Sequence, residues 1–182
     1  MEQLYEELRR RQPEPTERVS LVHGDAKPGN FAFVAGDVSA VFDWELTDVG
    51  DPLADIGYFE VLWQIPAGLA AHPTAPSIED LLARYEERSG IPVRHREWYR
   101  AFQVFKLGAI QLIGSMLGDS GDWNDPRAIG MAHGIQIMTP IGLRDMGLDE
   151  NLDLGPIFPR PERMEALSRS TGTPRARRSS AG

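Results

Sequence analysis

Apolar and polar positions change rhythm twice along the chain. Residues 2–11 place Leu4, Tyr5 and Leu8 on one side of a short helix, which the Pro13 and Pro15 pair ends. Extended segments follow. Residues 19–22 lead into a polar loop at 23–30. Residues 31–34 and 38–42 are β-rich runs split by Ala35, Gly36 and Asp37, which predicts a hairpin. Such a hairpin presents its outer ends, Asn30 and Asp43, on the same side.

From residue 51 onward the pattern is helical. Asp51-Pro52 is a start signal, a capping carboxylate followed by a proline whose missing N–H is harmless at the first position, and the segment runs to about residue 64. A proline-punctuated loop covers 66–76. Ser77 with Asp80 predicts an N-terminal cap of the capping-box type, with Ile78, Leu81, Leu82 and Tyr85 as the apolar stripe before Gly90. Residues 97–117 are apolar on most faces and predict the central buried helix, with Gly108, Gly114 and Gly118 letting a neighbour approach. Asp125-Pro126 opens a last helix to about residue 146, with Pro140 expected to kink it. Residues 1–18 thus read as a helix and linker, 19–147 as one folded unit, and 148–182 as an extended, largely disordered basic tail.

Composition removes several function classes. The 182 residues hold no cysteine, so a disulfide framework, a thiolate nucleophile and a Cys-ligated zinc are excluded. The longest apolar stretch, 107–117, is interrupted by Gln111 and Ser115 and is too short for a bilayer core of roughly 30 Å, so no membrane partner is expected. The charged N-terminal residues lack a secretory apolar run, which gives the cytoplasm as the expected compartment. Net charge is -8, and four arginines sit in an acid-free stretch at 168–182; with those four set aside the body carries -12. That sign repels nucleic acid and suits metal ions or cationic ligands. Only Lys27 and Lys106 of the basic residues are lysine, so chemistry that needs a lysine has two candidates.

The loop and hairpin gather His23, Asp25, Asn30 and Asp43. Taken singly, Asp25 and Asn30 are common turn residues. Together they have the spacing of a phosphotransferase catalytic loop, in which the Asp takes the proton of the attacking hydroxyl and the Asn binds magnesium. An acid at the end of the next hairpin is what a second magnesium contact needs, because magnesium prefers hard oxygen ligands and bridges nucleotide phosphates.

The run His23-Gly24-Asp25-Ala26-Lys27-Pro28-Gly29-Asn30, followed by Val41-Phe42-Asp43-Trp44-Glu45 and Gly50-Asp51-Pro52-Leu53-Ala54-Asp55, resembles the aminoglycoside phosphotransferase family of protein-kinase-like fold. The loop also parallels the His-Arg-Asp loop of protein kinases, with Gly24 in place of Arg. The resemblance covers roughly residues 19–147. It implies an α+β, mostly α fold: the C-terminal helical lobe of a protein-kinase-like architecture, with a small β-hairpin carrying the catalytic and metal-binding loops. It implies ATP as co-substrate, Mg2+, and a small-molecule hydroxyl as acceptor. Asp25 would be the general base or hydroxyl-positioning carboxylate, Lys27 a contact to the γ-phosphate, and Asn30 and Asp43 the magnesium ligands. His23 would brace the loop, and Asp51 and Asp55 would orient it from the start of their helix, where the dipole favours a carboxylate. Trp44 and Glu45 could reach a substrate.

The same resemblance calls for a lysine and a glycine-rich strand before the catalytic loop, to hold the α- and β-phosphates. No lysine precedes Lys27, the 22 residues before His23 cannot build a five-stranded lobe, and Lys106 falls on the wrong side of the loop within an apolar helix. The expectation is a catalytic half whose nucleotide-binding lobe comes in cis or in trans, weak or inactive alone. Two other readings stand beside it: an inactive kinase-like remnant serving as a binding or regulatory module, and a metal hydrolase using His23, Asp25 and Asp43 as ligands.

Overall fold

The structure is a computed structural model that describes residues 1–14, 18–63, 72–123 and 126–148. All of the expected tail at 148–182 except Leu148, and most of the expected loop at 66–76, lie outside these. The described part is helix-rich α+β: α1 (Glu2–Arg10), β1 (Ser20–Val22), β2 (Phe31–Val34), β3 (Asp37–Val41), β4 (Asp48–Gly50), α2 (Leu53–Trp63), α3 (Ile78–Ser89), α4 (Arg96–Ser120) and α5 (Pro126–Asp145).

Two small antiparallel sheets position the loop. β2 and β3 pair as the expected hairpin, Phe31 opposite Val41 and Val34 opposite Asp37, with a register irregularity between Ala32 and Phe33. The turn is tighter than expected. Ala35 and Gly36 both have positive φ, the backbone of a two-residue primed turn, so Asp37 belongs to the strand. β4 is not legible in the sequence. It pairs with β1, Ser20 opposite Gly50 and Val22 opposite Asp48, and so ties the segment leading into α2 to the strand leading into the 23–30 loop.

Helices α1, α4 and α5 share one core, in which Leu4, Leu8, Ala101 and Met146 are buried and Trp98, Phe102 and Phe105 pack around them. Trp98 donates its indole N–H to the Leu8 carbonyl at 2.9 Å. A second cluster joins Leu53, Ile91 and Tyr99. α2 and α4 meet closely at Gly57, where a Cβ would lie 2.7 Å from the Tyr99 backbone. The Ser77 cap forms as expected, its hydroxyl accepting from the Asp80 amide at 3.1 Å.

The expectation that residues 97–117 form the central buried helix holds for only part of its length. α4 buries Tyr99, Ala101, Gln103 and Val104 in its first half, while Ile113 and Met116 further along are exposed. By length and composition alone α4 could reach across a membrane, but its first half is spent on the core and on ion pairs. α2 is joined to α4 through Glu60, which is completely buried and accepts from Arg96 at 2.6 Å and from Arg100 at 3.4 Å. Arg96 continues to Glu79 on α3 at 2.9 Å, and Arg100 to Asp145 on α5 at 3.0 Å. Four helices are thereby tied by one ionic chain.

Candidate functional site

β1 delivers the loop from its last residue, Val22. Asp55, in the first turn of α2, accepts the amides of His23 at 2.7 Å and Gly24 at 2.9 Å. A carboxylate there gains from the helix N-terminus as well as from the two N–H groups. Asp51 acts elsewhere: it caps α2 through the Leu53 amide at 2.9 Å and accepts the Tyr99 hydroxyl at 2.6 Å.

His23 is buried and both ring nitrogens are engaged. Nδ1 accepts the Asp25 amide at 3.2 Å, so Nε2 carries the proton and donates to the Phe42 carbonyl at 2.8 Å. The Phe42 amide in turn donates to the Asn30 carbonyl at 2.8 Å. The histidine therefore joins the loop to the end of the hairpin and has no lone pair left for a metal, which removes it from the ligand set of the hydrolase reading. Trp44 lies against it, ring centres 4.6 Å apart, and remains half-exposed.

Gly24 shows why this loop carries glycine where protein kinases carry arginine. Its φ is +80°, and a Cβ would lie 2.1 Å from the Leu46 carbonyl oxygen. Gly24→Ala is expected to lower stability by about 2–3 kcal/mol, the sum of left-handed strain and displacement of the 44–46 turn; denaturant unfolding of the variant measures it.

Asp25 is buried, and its carboxylate is saturated with donors on one side. Lys27 Nζ donates to Oδ2 at 2.5 Å, Asn30 Nδ2 to the same oxygen at 2.9 Å, and the Tyr58 hydroxyl to Oδ1. Burial pushes the Asp25 carboxyl up, but the three hydrogen bonds and the Lys27 charge outweigh it and hold the group below the usual carboxylate range. Asp25 is thus ionised at neutral pH. Asn30 also donates to the Asp25 carbonyl at 2.9 Å, which closes the loop on itself.

Asp43 follows the Phe42 clamp with φ 63° and ψ 57°, a left-handed conformation that aspartate tolerates better than most residues. Its carboxylate is exposed and engages no hydrogen bond or ion pair among the described residues. Asn30 uses its Nδ2 on Asp25, which leaves Oδ1 as its hard donor. An amide oxygen and a free carboxylate suit magnesium, which takes one or two protein oxygens and fills the rest of its shell from water and phosphates. Among the described residues no group of three or more His, Cys, Asp or Glu could hold a metal by itself.

Two participants are not legible as such in the sequence. Tyr58 is buried on α2, and Lys106, placed by the sequence in an apolar helix away from the chemistry, brings its Nζ from α4 onto the Gly24 carbonyl. Burial lowers the Lys106 ammonium from its ordinary value, partly offset by Asp55 and Asp25. The only two lysines in the chain thus both sit at this loop. A surface depression on α3, lined by Asp80, Arg84 and Glu87 among others, touches none of these residues.

Known proteins resemble this chain over part of its length. The family model described as phosphotransferase enzyme family matches residues 1–102. Human acyl-CoA dehydrogenase family member 11 is 36% identical over 122 residues, 60% of this chain and 16% of that protein. Mouse acyl-CoA dehydrogenase family member 10 is 32% identical over 107 residues, 52% of this chain and 10% of that protein. The chain therefore spans only a tenth to a sixth of the length of these curated relatives. A crystal structure of a Ralstonia eutropha protein assigned as an aminoglycoside phosphotransferase superposes with TM-score 0.70 at 28% identity, covering 80% of this chain and 48% of that one. Since the matched 102 residues exceed half the chain and contain the whole of the 23–30 loop, Asp43 and Asp55, the chain belongs to the phosphotransferase enzyme family.

Proposed function

We propose that residues 19–147 form the C-terminal catalytic lobe of a kinase-like enzyme that moves the γ-phosphate of ATP to the hydroxyl of a small molecule in the cytoplasm. The observation that carries this reading is the Asp25 carboxylate, ionised, fixed by three donors and closed by Asn30, one clamp away from the free carboxylate of Asp43. Asp25 orients the acceptor hydroxyl and takes its proton as the bond to phosphorus forms. In a loose transition state little proton transfer is needed early, so a carboxylate of low basicity serves by position. Asn30 and Asp43 would hold magnesium, which would supply positive charge against the phosphates. Lys27 reaches the transferring phosphate from beside Asp25.

Both lysines are committed to the loop, so the grip on the α- and β-phosphates comes from a further lobe, in cis or in trans. The apolar residues left exposed around the site, Leu21, Phe33, Val34, Val38, Phe42 and Val49, support such a covering partner. Turnover by the 182 residues alone is accordingly slow, and robust ATP turnover would contradict this part of the reading. The acceptor classes to test are sugars, amino alcohols and hydroxyacyl thioesters, the last because the relatives above carry acyl-CoA in their names.

Magnesium dependence tests the assignment. Asp43→Ala is expected to raise the Mg2+ concentration needed for half-maximal transfer at least ~10-fold, by loss of a ligand. An unchanged requirement would remove Asp43 from the metal site.

A further inference from the structure

We infer that Tyr58 and Lys106 are positioning residues for the Asp25 carboxylate, an inference that rests on the phosphotransfer reading above. Tyr58 lies three residues after Asp55 on α2, hence on the same face, and is buried. While Asp55 holds the loop by its backbone, Tyr58 holds the side chain that the loop presents, through its hydroxyl on Asp25 Oδ1. Lys27 and Asn30 both bind Oδ2. An ionised carboxylate offers about four acceptor positions on two oxygens. Oδ2 is filled and Oδ1 is half-filled, so one position on Oδ1 is left for an acceptor hydroxyl, and Tyr58 decides where it points.

Lys106 fixes Tyr58 from the other side. Its Nζ lies 5.2 Å from the centre of the Tyr58 ring and donates to the Gly24 carbonyl, immediately before Asp25 in the chain. Ring, ammonium and loop therefore constrain one another: Tyr58 cannot turn without leaving Lys106, and Lys106 cannot leave without uncapping Gly24. A buried hydroxyl and a half-buried ammonium both need partners, and both find them in the 23–30 loop.

Tyr58→Phe separates positioning from base strength by sign. It removes a donor from Asp25 and leaves that carboxylate more basic, so a reaction limited by basicity would hold its rate or speed up. The positioning role predicts the opposite. In the 182-residue chain with MgATP and the best acceptor of the panel, Y58F is expected to lower kcat about ten- to hundred-fold, the loss of one hydrogen bond to a charged group, with the KM for ATP unchanged. Lys106→Met lowers kcat in the same way and Lys106→Arg restores most of it. The proton NMR spectrum of the wild-type chain is expected to show a downfield, slowly exchanging hydroxyl proton that is absent from Y58F and shifted in D25N. An active wild type that lacks this proton, or a Y58F variant with kcat unchanged or raised, overturns the inference alone. A wild type that transfers phosphate to no acceptor overturns the phosphotransfer reading and the inference with it.

Discussion

Asp25→Asn is expected to lower phosphoryl transfer by about 10²–10⁴-fold, the usual contribution of a positioned acid–base group, while the KM for ATP stays within about a factor of two. The substitution keeps the shape of the side chain and removes its charge. Oδ2 is the partner of Lys27 and Asn30, and Oδ1 that of Tyr58. An amide can accept at one of these oxygens only, so its NH2 faces donors at the other, and the acceptor hydroxyl loses the oxygen that would orient it. ATP binding is spared because the phosphates meet Lys27, the magnesium ligands and the other lobe. Steady-state kinetics of the variant separate the two effects: a fall confined to kcat supports the role of Asp25, and an unchanged kcat removes it from the mechanism.

Glu60→Ala is expected to cost about 3 kcal/mol of stability, near the lower end of the range for breaking a buried ion pair. Glu60 is fully buried, and its Oε1 accepts from both Arg96 and Arg100. Removing it leaves two guanidinium groups inside the helix assembly. Arg96 retains Glu79 and some access to water, and Arg100 retains Asp145, which keeps the loss from the top of the range. Urea unfolding should show a lower midpoint at unchanged slope. Replacing Glu60 together with Arg96 by leucines should recover part of the loss, because the uncompensated charge then disappears with its partner. A Glu60→Ala chain as stable as wild type would show that the ionic chain contributes nothing.

The hairpin, the helix starts at 53 and 78 and the loop residues are legible in the sequence because each rests on local chemistry: turn residues between β-rich runs, capping side chains, and a motif of eight consecutive positions. β4 is not, because three residues with two exposed side chains have no period to read and exist only through pairing with β1. Tyr58 and Lys106 escape for a related reason. They lie 33 residues from Asp25 and 82 from Gly24, and no spacing announces a contact that the packing of α2 on α4 creates. Glu60 does leave a signal, an acid between the apolar Phe59 and Val61 in the second half of α2, which a buried helix tolerates only when the charge is paired. The outer half of α4 differs from its expected burial because an apolar composition leads to burial only where a neighbouring element covers it.

Phosphoryl transfer from MgATP by the 23–30 loop with Asp43 is tested most directly by phosphorus NMR of the chain during long incubation with MgATP and the acceptor panel. The predicted result is a phosphoester signal that grows as the γ-phosphate signal falls, requires Mg2+ and is absent with D25N. A phosphoester signal that grows equally fast with D25N, or loss of γ-phosphate to inorganic phosphate alone with every acceptor, would contradict it.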